Sequence, residues 1–477
     1  MNKQITDPSY NRPLLMIILL TGVFLALLNQ TIVITALPQI IGDFGIEASK
    51  AQWLITSFML VNAIIVPIST FFIAKFSTRQ LFFAAISVFL IGTALGGVSI
   101  TFSMLLAARF IQAVGAGIMM PLVSNIILLI TPPEKRGSAM GLMVLVICFS
   151  PAIAPTLAGS IVDVLSWRYL FYGTIPLTIA VFIMALFTLK NVTETNQNEK
   201  LNFVSIFLST LTFGSIVYSL SLAGELGWTN GTTLIWGLVG IIALILLIVK
   251  QLNLAHPMLE FRVFKYKMFT YCCLLLTVAF GTMLGIETLI PIYTQEVEGV
   301  SAFESGLILL PGAALMGGIS PFVGRVVDKI GARHLVVVGF IIIAISTIPL
   351  AIMTIPLSID LLVILYTLRM VGVGLVMTPL QTAAMNAIPQ HLISHGVAVY
   401  STVNSIAGSI GISLIVSVYT NISNKSTVIT GLFPEKYAIG ITFIVITIVS
   451  GLAAILAFKL TQENRKSVLQ SETVSGK

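Results

Sequence analysis

Charged residues are scarce in this chain. Asp, Glu, Lys and Arg make up 9% of its 477 residues and 57% are hydrophobic, whereas soluble domains carry roughly 25% charged residues. This composition argues against an ordinary water-soluble enzyme. A membrane-spanning helix needs about 20 mostly apolar residues. The chain therefore has room for many such helices joined by short connections, and we expect an all-α integral membrane protein.

Cysteine and histidine are equally sparse. The three cysteines (Cys148, Cys272 and Cys273) lie inside apolar runs, and their spacing matches neither a disulfide framework nor a metal site. His391 and His395 lie four residues apart without an acidic neighbour, which is a weak basis for a metal site. The sequence contains no phosphate-binding loop, nucleophile elbow or metalloprotease motif. We therefore expect no catalytic residue, no bound metal and no cofactor, and the chain is predicted not to be an enzyme.

Fourteen apolar runs are long enough to cross a bilayer. They begin near residues 14, 51, 81, 104, 138, 168, 202, 232, 269, 305, 335, 359, 396 and 437. An even number of spans puts both chain ends on one side. With the ends inside, nineteen Lys and Arg residues fall on the inner side and four on the outer side, as the positive-inside rule requires. The net charge of +7 then reflects topology, and no nucleic-acid partner is expected.

An internal repeat divides the runs into two halves. Residues 67–81 align with residues 321–335 at an offset of 254, and the same offset places Gly45 on Gly299. Two six-helix pseudo-symmetric bundles of the transporter type would produce such a repeat. The seventh and eighth runs have no counterpart and are predicted to form an inserted two-helix hairpin. The predicted domains are an N-terminal bundle (1–190), the inserted helices with their linkers (191–268), a C-terminal bundle (269–458) and a cytoplasmic tail (459–477).

A short inner-side loop after the tenth run has the sequence GRVVDKIGARH (324–334). It resembles the GxxxDRxGRR loop of the major facilitator superfamily. The resemblance implies a conformational latch made of Gly324, Asp328, Gly331 and Arg333, in which Asp328 pairs with a basic partner near a helix terminus. In the first-half copy of this loop, the expected Gly, Asp and Gly are replaced by Thr70, Ala74 and Ser77.

Other stretches resemble the fourteen-span drug:proton antiporters of that superfamily, the multidrug-efflux family of the QacA and EmrB type. They are LNQTIVITALP (28–38), RFIQAVG (109–115), SWRYLF (166–171) and HPMLEFRVF (256–264). The resemblance runs in matching order from about residue 14 to residue 458. It implies export of dyes, quaternary ammonium compounds and fluoroquinolones at the expense of proton influx.

The fifth run is the place of the glycine-rich antiporter signature of that family. It contains Gly137, Gly141 and Pro151, but the expected Gly-Pro pair is Ala154-Pro155. Small residues and kinking prolines also suit a closely packed helix that has no coupling role. Both interpretations stay open at this point.

Three charged residues, Arg109, Glu287 and Arg369, lie at membrane depth, where charges are costly and usually functional. In the related antiporters the partner of Arg109 is an aspartate of the first span, and this chain has Asn29 there. Asn29 can accept a hydrogen bond from Arg109 but cannot exchange a proton near neutral pH. Proton coupling would then use another carboxyl group.

Glu287 is the predicted replacement. The repeat offset maps Glu287 to residue 33, which lies four residues from Asn29 on the same helical face. Arg369 occupies the position in the twelfth run that Arg109 occupies in the fourth. We therefore expect Glu287, Arg109, Arg369 and Asn29 to form the proton-coupling site. Burial raises the proton affinity of a carboxyl group, whereas a nearby arginine or cationic substrate lowers it, so substrate and proton would compete. A structural carboxylate bonded to neighbouring helices is the alternative for Glu287.

An adaptable pocket for flat lipophilic cations needs aromatic rings and methionines. The predicted substrate-binding residues are Phe24, Asn29, Gln112, Met120, Phe149, Phe280, Glu287, Tyr293, Gln381 and Asn404.

The sequence thus predicts a monomeric, proton-coupled multidrug exporter in a bacterial cytoplasmic membrane, with both termini in the cytoplasm. Its partners would be small lipophilic substrates, protons and the lipid bilayer. One alternative is an exporter of a single endogenous metabolite, siderophore or lipid. A second, suggested by Asn29 and the altered first-half loop, is an uncoupled facilitator.

Overall fold

The computed structural model describes residues 12–132, 135–162, 164–192, 202–254, 257–351, 358–429 and 434–460. In these ranges the long elements are fourteen α-helices, and no strand occurs. They are α1 (Arg12–Phe44), α2 (Ala48–Lys75), α3 (Thr78–Gly97), α4 (Phe102–Ile130), α5 (Arg136–Val162), α6 (Arg168–Thr188), α7 (Phe203–Leu226), α8 (Gly231–Leu252), α9 (Lys267–Ile292), α10 (Ala302–Ile330), α11 (Arg333–Ala351), α12 (Ile359–Asn386), α13 (Ile393–Ile429) and α14 (Pro434–Ala457).

Each of the fourteen helices contains a stretch long and apolar enough to cross a membrane. Every helix begins within three residues of the position predicted from hydropathy. The predicted all-α membrane fold with fourteen spanning helices is therefore confirmed. The agreement has a simple cause, because a helix in hydrocarbon must satisfy its own backbone hydrogen bonds and expose apolar side chains.

Polar residues at the connections set where several helices begin. Ser77 and Ser301 form capping boxes with Gln80 and Glu304, in which each side chain bonds the backbone N–H of the other residue. Side-chain oxygens accept a hydrogen bond from the first helical turn at four further starts: Thr101, Asn202, Asn230 and Ser358. These caps satisfy N–H groups that the helix itself leaves unpaired.

The helices pack as two six-helix bundles of the same design. In the first bundle α1 packs on α5, α2 on α4, and α3 on both α4 and α6. In the second bundle α9 packs on α13, α10 on α12, and α11 on both α12 and α14. Adding eight to each helix number of the first bundle gives the second, so the pseudo-symmetry predicted from the internal repeat is present in the packing.

The repeat extends to loop geometry at one pair of glycines. Gly45, after α1, has φ +59°, and Gly299, before α10, has φ +68°. These residues are 254 positions apart, and a positive φ favours glycine because it has no Cβ atom. The loops after α2 and α10 differ instead: Gly331 has φ +81°, whereas Ser77 at the equivalent place is extended and caps α3. The serine thus replaces a left-handed turn by a capping box.

The inserted hairpin α7–α8 lies against the seam between the bundles. Its first helix packs on α2 of one bundle and α13 of the other. Ser413 and Ser417 of α13 donate hydrogen bonds to the carbonyl oxygens of Leu220 (2.6 Å) and Ala223 (3.2 Å) in α7. The other helix, α8, packs mainly on α7 and exposes an apolar surface, as a lipid-facing helix would.

The two bundles meet mainly through α5 and α10. Because consecutive spanning helices alternate in direction, α5 begins and α10 ends on the side where α1 begins, which we call the terminal side. There Gly137 and Gly324 lie in backbone contact, and Gly141 packs on Ser320 and Pro321. At the other end of the same pair, Gly159 faces the ring of Phe303. Two glycines of the fifth run therefore serve the close approach of the bundles.

Candidate functional site

Arg109 is the centre of a polar network inside the first bundle. It is fully buried on α4, and its Nε donates a hydrogen bond to the carbonyl oxygen of Leu54 (3.2 Å). Its Nη1 donates to the backbone oxygen (3.0 Å) and side-chain Oδ1 (3.3 Å) of Asn29 and to Oε1 of Gln112 (3.1 Å). Its Nη2 donates to the carbonyl oxygen of Gln30 (3.4 Å). One guanidinium group thus joins α1, α2 and α4.

Neutral side chains complete this network. The amide nitrogen of Gln112 donates to Oδ1 of Asn29 (3.1 Å) and to the hydroxyl of Thr93 (3.0 Å). The amide nitrogen of Asn29 donates to the hydroxyl of Thr174 in α6 (3.3 Å). These contacts bring together Asn29, Arg109 and Gln112, three of the predicted site residues. Each described partner is an amide, hydroxyl or carbonyl group, so the network holds Arg109 without offering a group that titrates near neutral pH.

Arg369 has the opposite environment in the second bundle. Its side chain is fully buried on α12. Within the described part of the chain, none of its three guanidinium nitrogens has a hydrogen-bond partner. A buried cation without acceptors is costly. The surroundings of Arg369 therefore favour the arrival of an acceptor or an anion.

Glu287 lies next to this arginine. It is on α9, five residues before this apolar helix ends, and it is half-buried rather than closed off. Tyr366 and Arg369 of α12 are near enough to interact with its carboxyl group electrostatically. No Glu287–Arg369 ion pair within 4.0 Å occurs among the contacts of the described residues. The carboxyl group is thus close to the arginine but is not paired with it.

The two bundles therefore hold different chemistry at equivalent depths. The partners of Arg109 are neutral and satisfy it with hydrogen bonds, whereas the second bundle has a carboxyl group, a phenol and an arginine that has no hydrogen-bond partner among the described residues. Only the second arrangement can take up and release a proton. The sequence pointed to Glu287 and Arg369 as the charged residues of this group.

The predicted pocket residues have a mixed environment. Partly accessible side chains are those of Phe24, Met120, Phe149, Phe280 and Gln381. Tyr293 is buried and donates its hydroxyl proton to Glu298 (2.8 Å). Asn404 is buried, and its Oδ1 has no hydrogen-bond partner among the described residues. The described residues contain no group of three His, Cys, Asp or Glu residues that could hold a metal ion.

The predicted latch residue Asp328 bridges the two bundles. Its carboxylate oxygens accept hydrogen bonds from the backbone N–H groups of Gly137 (2.8 Å) and Ser138 (3.1 Å) at the start of α5. A carboxylate is favoured at this position by the helix dipole. Close backbone contact between Gly137 and Gly324 brings the two helix ends together. Arg333 is exposed and lies 6.0 Å from the ring of Phe458. Asp328 thus joins α10 to main-chain donors of α5, and its pairing with a basic side chain stays a prediction.

We expect Asp328→Ala to loosen the contact between α5 and α10 on the terminal side. Hydrogen bonds to a charged group contribute about 1.5–3 kcal/mol each, so the variant should populate a more open terminal side. Spin labels placed at Lys135 and Lys329, both exposed, would report the change as a longer distance distribution. Arg325→Ala on the exposed face of α10 is the control, and an unchanged distribution for Asp328→Ala would contradict a latch.

An acidic residue at the opposite end of the first bundle also has a structural partner. Asp43 pairs with Arg168 (2.7 Å) and accepts a hydrogen bond from the indole nitrogen of Trp167 (3.1 Å). Asp43 thus links the end of α1 to the start of α6.

Comparison with known proteins agrees with this architecture. Residues 19–412 match the model of the Major Facilitator Superfamily. The chain is 45% identical over 470 residues to the uncharacterized MFS-type transporter YcnB of Bacillus subtilis (strain 168), covering 98% of this chain and 99% of that protein. It is 38% identical to the lincomycin resistance protein LmrB of Listeria monocytogenes, covering 85% of this chain and 86% of LmrB.

More distant relatives share the fold. The multidrug export protein EmrB of Escherichia coli (strain K12) is 29% identical, covering 83% of this chain and 78% of EmrB. The crystal structure of the human organic anion transporter MFSD10 matches with a TM-score of 0.69 at 13% identity, covering 93% of this chain and 99% of that one. The two bundles of the same design, the loop at residues 324–334 and the extent of these matches establish that the chain belongs to the Major Facilitator Superfamily and is a transporter.

Proposed function

We propose that this transporter exports structurally diverse lipophilic compounds, many of them cationic, in exchange for protons. Dyes, quaternary ammonium compounds and fluoroquinolones are the proposed substrates. The proposed location is a bacterial cytoplasmic membrane, with the terminal side facing the cytoplasm. Two relatives support export of drugs: EmrB is a multidrug export protein and LmrB a lincomycin resistance protein.

The observation that carries the proton-coupled part is the position of Glu287. It is an acidic side chain within the apolar helix α9, five residues before the helix ends, partly accessible and near an arginine that lacks hydrogen bonds within the described chain. Ionisable groups at membrane depth commonly belong to ion pathways. A carboxyl group in this place can hold either a proton or a nearby cation, and competition between the two couples their movements.

The neutral Arg109 network supports assignment of the coupling role to the second bundle. Its hydrogen bonds already satisfy the guanidinium group, and its side chains cannot exchange protons near neutral pH. Arg109, Asn29 and Gln112 would then keep α1, α2 and α4 together while the substrate passes. In this proposal Arg109 and Asn29 maintain the coupling region, and Glu287 with Arg369 performs the exchange.

The contacts between the bundles support an alternating-access cycle. On the terminal side Asp328 of α10 bonds the start of α5, and Ser394 of α13 bonds the side chain of Asn125 in α4 (2.9 Å). Breaking these contacts would open the pocket to the cytoplasm for substrate entry. Exchange of one proton for one monovalent cation moves no net charge, so the pH gradient would drive the cycle and the membrane potential would not.

Reconstitution tests this proposal. In proteoliposomes with an imposed pH gradient, we expect ethidium to accumulate in the acidic compartment, since an antiporter moves it against the proton flow. Collapse of the pH gradient with nigericin should abolish the accumulation, and a potassium diffusion potential should leave it unchanged. Lincomycin, a quaternary ammonium compound and a fluoroquinolone should compete with ethidium.

The same assay separates the alternatives. An uncoupled facilitator, which the absence of a carboxylate from the described Arg109 network favours, would only equilibrate ethidium and would not respond to nigericin. An exporter of one endogenous compound would show no competition among unrelated drugs. Either result would contradict proton-coupled multidrug export.

A further inference from the structure

The inserted hairpin α7–α8 lies where the two bundles must move past each other. Its first helix packs on α2 of the first bundle and on α13 of the second, and α2 and α13 also pack on each other. A rearrangement of the bundles must move α2 relative to α13. Because α7 contacts both helices, it must follow one of them and slide over the other. The contacts on its two sides differ in kind and indicate which helix it follows.

A column of serines on α13 leads to the contact with α7. Serine recurs at every fourth position from Ser401 to Ser417. Each step of four residues rotates the column by about 40° around the helix, so its first and last members meet different neighbours. Ser405 and Ser409 donate hydrogen bonds within α13, to the carbonyl oxygens of Ser401 (3.1 Å) and Ser405 (3.2 Å).

The last two serines of the column attach α7 to the second bundle. Ser413 and Ser417 are buried, and their hydroxyls donate hydrogen bonds to the carbonyl oxygens of Leu220 (2.6 Å) and Ala223 (3.2 Å) in α7. Hydrogen bonds are directional, and two of them about one helical turn apart fix both the height and the rotation of α7 against α13. These bonds therefore favour joint movement of the two helices.

The second helix of the hairpin is tied to the first. Ser219 of α7 donates a hydrogen bond to the carbonyl oxygen of Thr233 in α8 (2.8 Å). A Cβ atom added at Gly240 of α8 would lie 2.8 Å from Cγ1 of Ile216 in α7, closer than real Cβ atoms approach. Because glycine allows this close packing, α7 and α8 move as one unit.

The contact between α7 and α2 is of a different kind. Among the described residues, the hydrogen bonds that join α7 to other helices go to α8 and α13 and not to α2. Trp53 of α2 packs on Tyr218 of α7 with ring centroids 5.9 Å apart. A Cβ atom added at Gly214 of α7 would lie 3.4 Å from Cδ1 of Ile64 in α2, an ordinary van der Waals contact. Such contacts are individually weak and not directional, so α7 can exchange them for others as α2 moves.

We infer that the inserted hairpin moves with the second bundle and slides over α2, so that α7 covers the seam between α2 and α13 throughout the transport cycle. This inference rests on the proposed alternating-access cycle and extends it to the two helices that have no counterpart in the repeat. Ser413 and Ser417 form the attachment, and the face of α2 that includes Trp53 and Ile64 is the sliding surface. A seam that stays covered keeps lipid chains from entering between the bundles on this side.

Two engineered links test the inference in proteoliposomes, in a background whose native cysteines are replaced by alanine. Trp53→Cys with Tyr218→Cys allows a short bifunctional thiol reagent to link α2 to α7. Leu220→Cys with Ser413→Cys allows the same reagent to link α7 to α13. We expect ethidium transport to continue at the unlinked rate in the α7–α13-linked protein. The α2–α7 link should stop transport, because it fixes the surface over which the hairpin slides.

Every other pattern of results overturns the inference. If the α7–α13 link stops transport and the α2–α7 link does not, the hairpin moves with the first bundle. If both links stop transport, the hairpin moves independently of both bundles. If neither link does, α7 does not slide over either helix. Ile64→Cys with Gly214→Cys gives a second α2–α7 link if the first pair does not fold.

A double variant tests the part played by the serines. Ser413→Ala with Ser417→Ala releases α7 from α13, so a hairpin linked to α2 can stay with α2 while the bundles move. We expect this change to raise ethidium transport by the α2–α7-linked protein about tenfold, the effect of losing two interhelical hydrogen bonds.

Ser405→Ala with Ser409→Ala is the matched control for the serine variant. These hydroxyls bond within α13, so their removal should leave the α2–α7-linked protein inactive. Equal recovery in the two double variants, or recovery in neither, would mean that Ser413 and Ser417 do not attach the hairpin, and the inference would be overturned.

Failure of the inference differs from failure of the proposed function. If the unmodified protein transports no ethidium, the proposed function is contradicted and the inference falls with it. If the unmodified and unlinked proteins transport ethidium but the links act in another pattern, the proposed function stands and the inference alone falls.

Discussion

Glu287→Gln is expected to abolish the release of protons that follows substrate binding. Glutamine has nearly the same size but has no proton to exchange near neutral pH. Glu287 is the acid within the membrane-spanning part of α9 that lies near both Tyr366 and Arg369. A protein that exchanges drug for proton at this group loses the exchange, while its pocket remains.

The measurement compares proton release and ethidium binding in the same proteoliposomes. The unmodified protein should acidify a weakly buffered medium when ethidium is added, and Glu287→Gln should give no signal although it still binds the dye. Movement of ethidium against its gradient should fall at least about a hundredfold, which corresponds to about 2.8 kcal/mol lost from the coupling free energy. Movement down its gradient should continue.

Asp360→Asn is the matched control for this experiment. Asp360 is an exposed acid in the first turn of α12, the same helix that carries Tyr366 and Arg369. Its replacement should leave proton release intact. If Glu287→Gln releases as many protons as the unmodified protein, coupling uses another acid and the assignment to Glu287 is wrong.

Arg109→Lys is expected to destabilise the folded protein strongly. The guanidinium group of Arg109 reaches acceptors on three helices through different nitrogens. A lysine ammonium group is a single point with three donors and cannot span them. The loss of several buried hydrogen bonds, at about 1 kcal/mol each, should cost about 3 kcal/mol and separate α1 from α4.

Arg369→Lys provides a comparison at the same degree of burial. Its guanidinium nitrogens have no hydrogen-bond partner among the described residues, so the lysine variant has fewer hydrogen bonds to lose. We expect the thermal unfolding midpoint in detergent to fall clearly for Arg109→Lys and only slightly for Arg369→Lys. Proton release should change in the reverse order, with the larger defect in Arg369→Lys. Equal losses of thermal stability would mean that the Arg109 network does not hold the first bundle together.

The helices were predictable because the bilayer imposes a requirement that is local in sequence. A spanning segment needs about 20 apolar residues in succession, and that requirement is met separately by each of the fourteen runs. The repeat at an offset of 254 could also be predicted from the sequence, since Gly45 and Gly299 both have a positive φ that favours glycine. The conformation of the loop at Ser77, which corresponds to the loop at Gly331, could not be predicted, because a capping box can replace a left-handed turn.

The interior sites were predictable only in part. Arg109, Glu287 and Arg369 stand out as charges within apolar runs, and Asn29 stood out by the family motif. Tyr366 is uncharged, so its place near Glu287 and Arg369 follows from the packing of α9 on α12. The pairing of Asp43 with Arg168 could not be predicted from the sequence, since the two residues lie 125 positions apart in the chain.

The sequence by itself determined the membrane class, the number of spans, the internal repeat and the presence of three charged residues within spanning helices. These properties follow from composition and from short-range sequence pattern, because each spanning helix must meet the requirements of the bilayer separately. Only the tertiary structure decided that Arg109 is saturated by neutral partners while Arg369 lacks hydrogen bonds among the described residues. Both arginines stand in similar apolar sequence, and what distinguishes them is the set of groups that helices distant in the chain bring within about 3 Å, the length of a hydrogen bond.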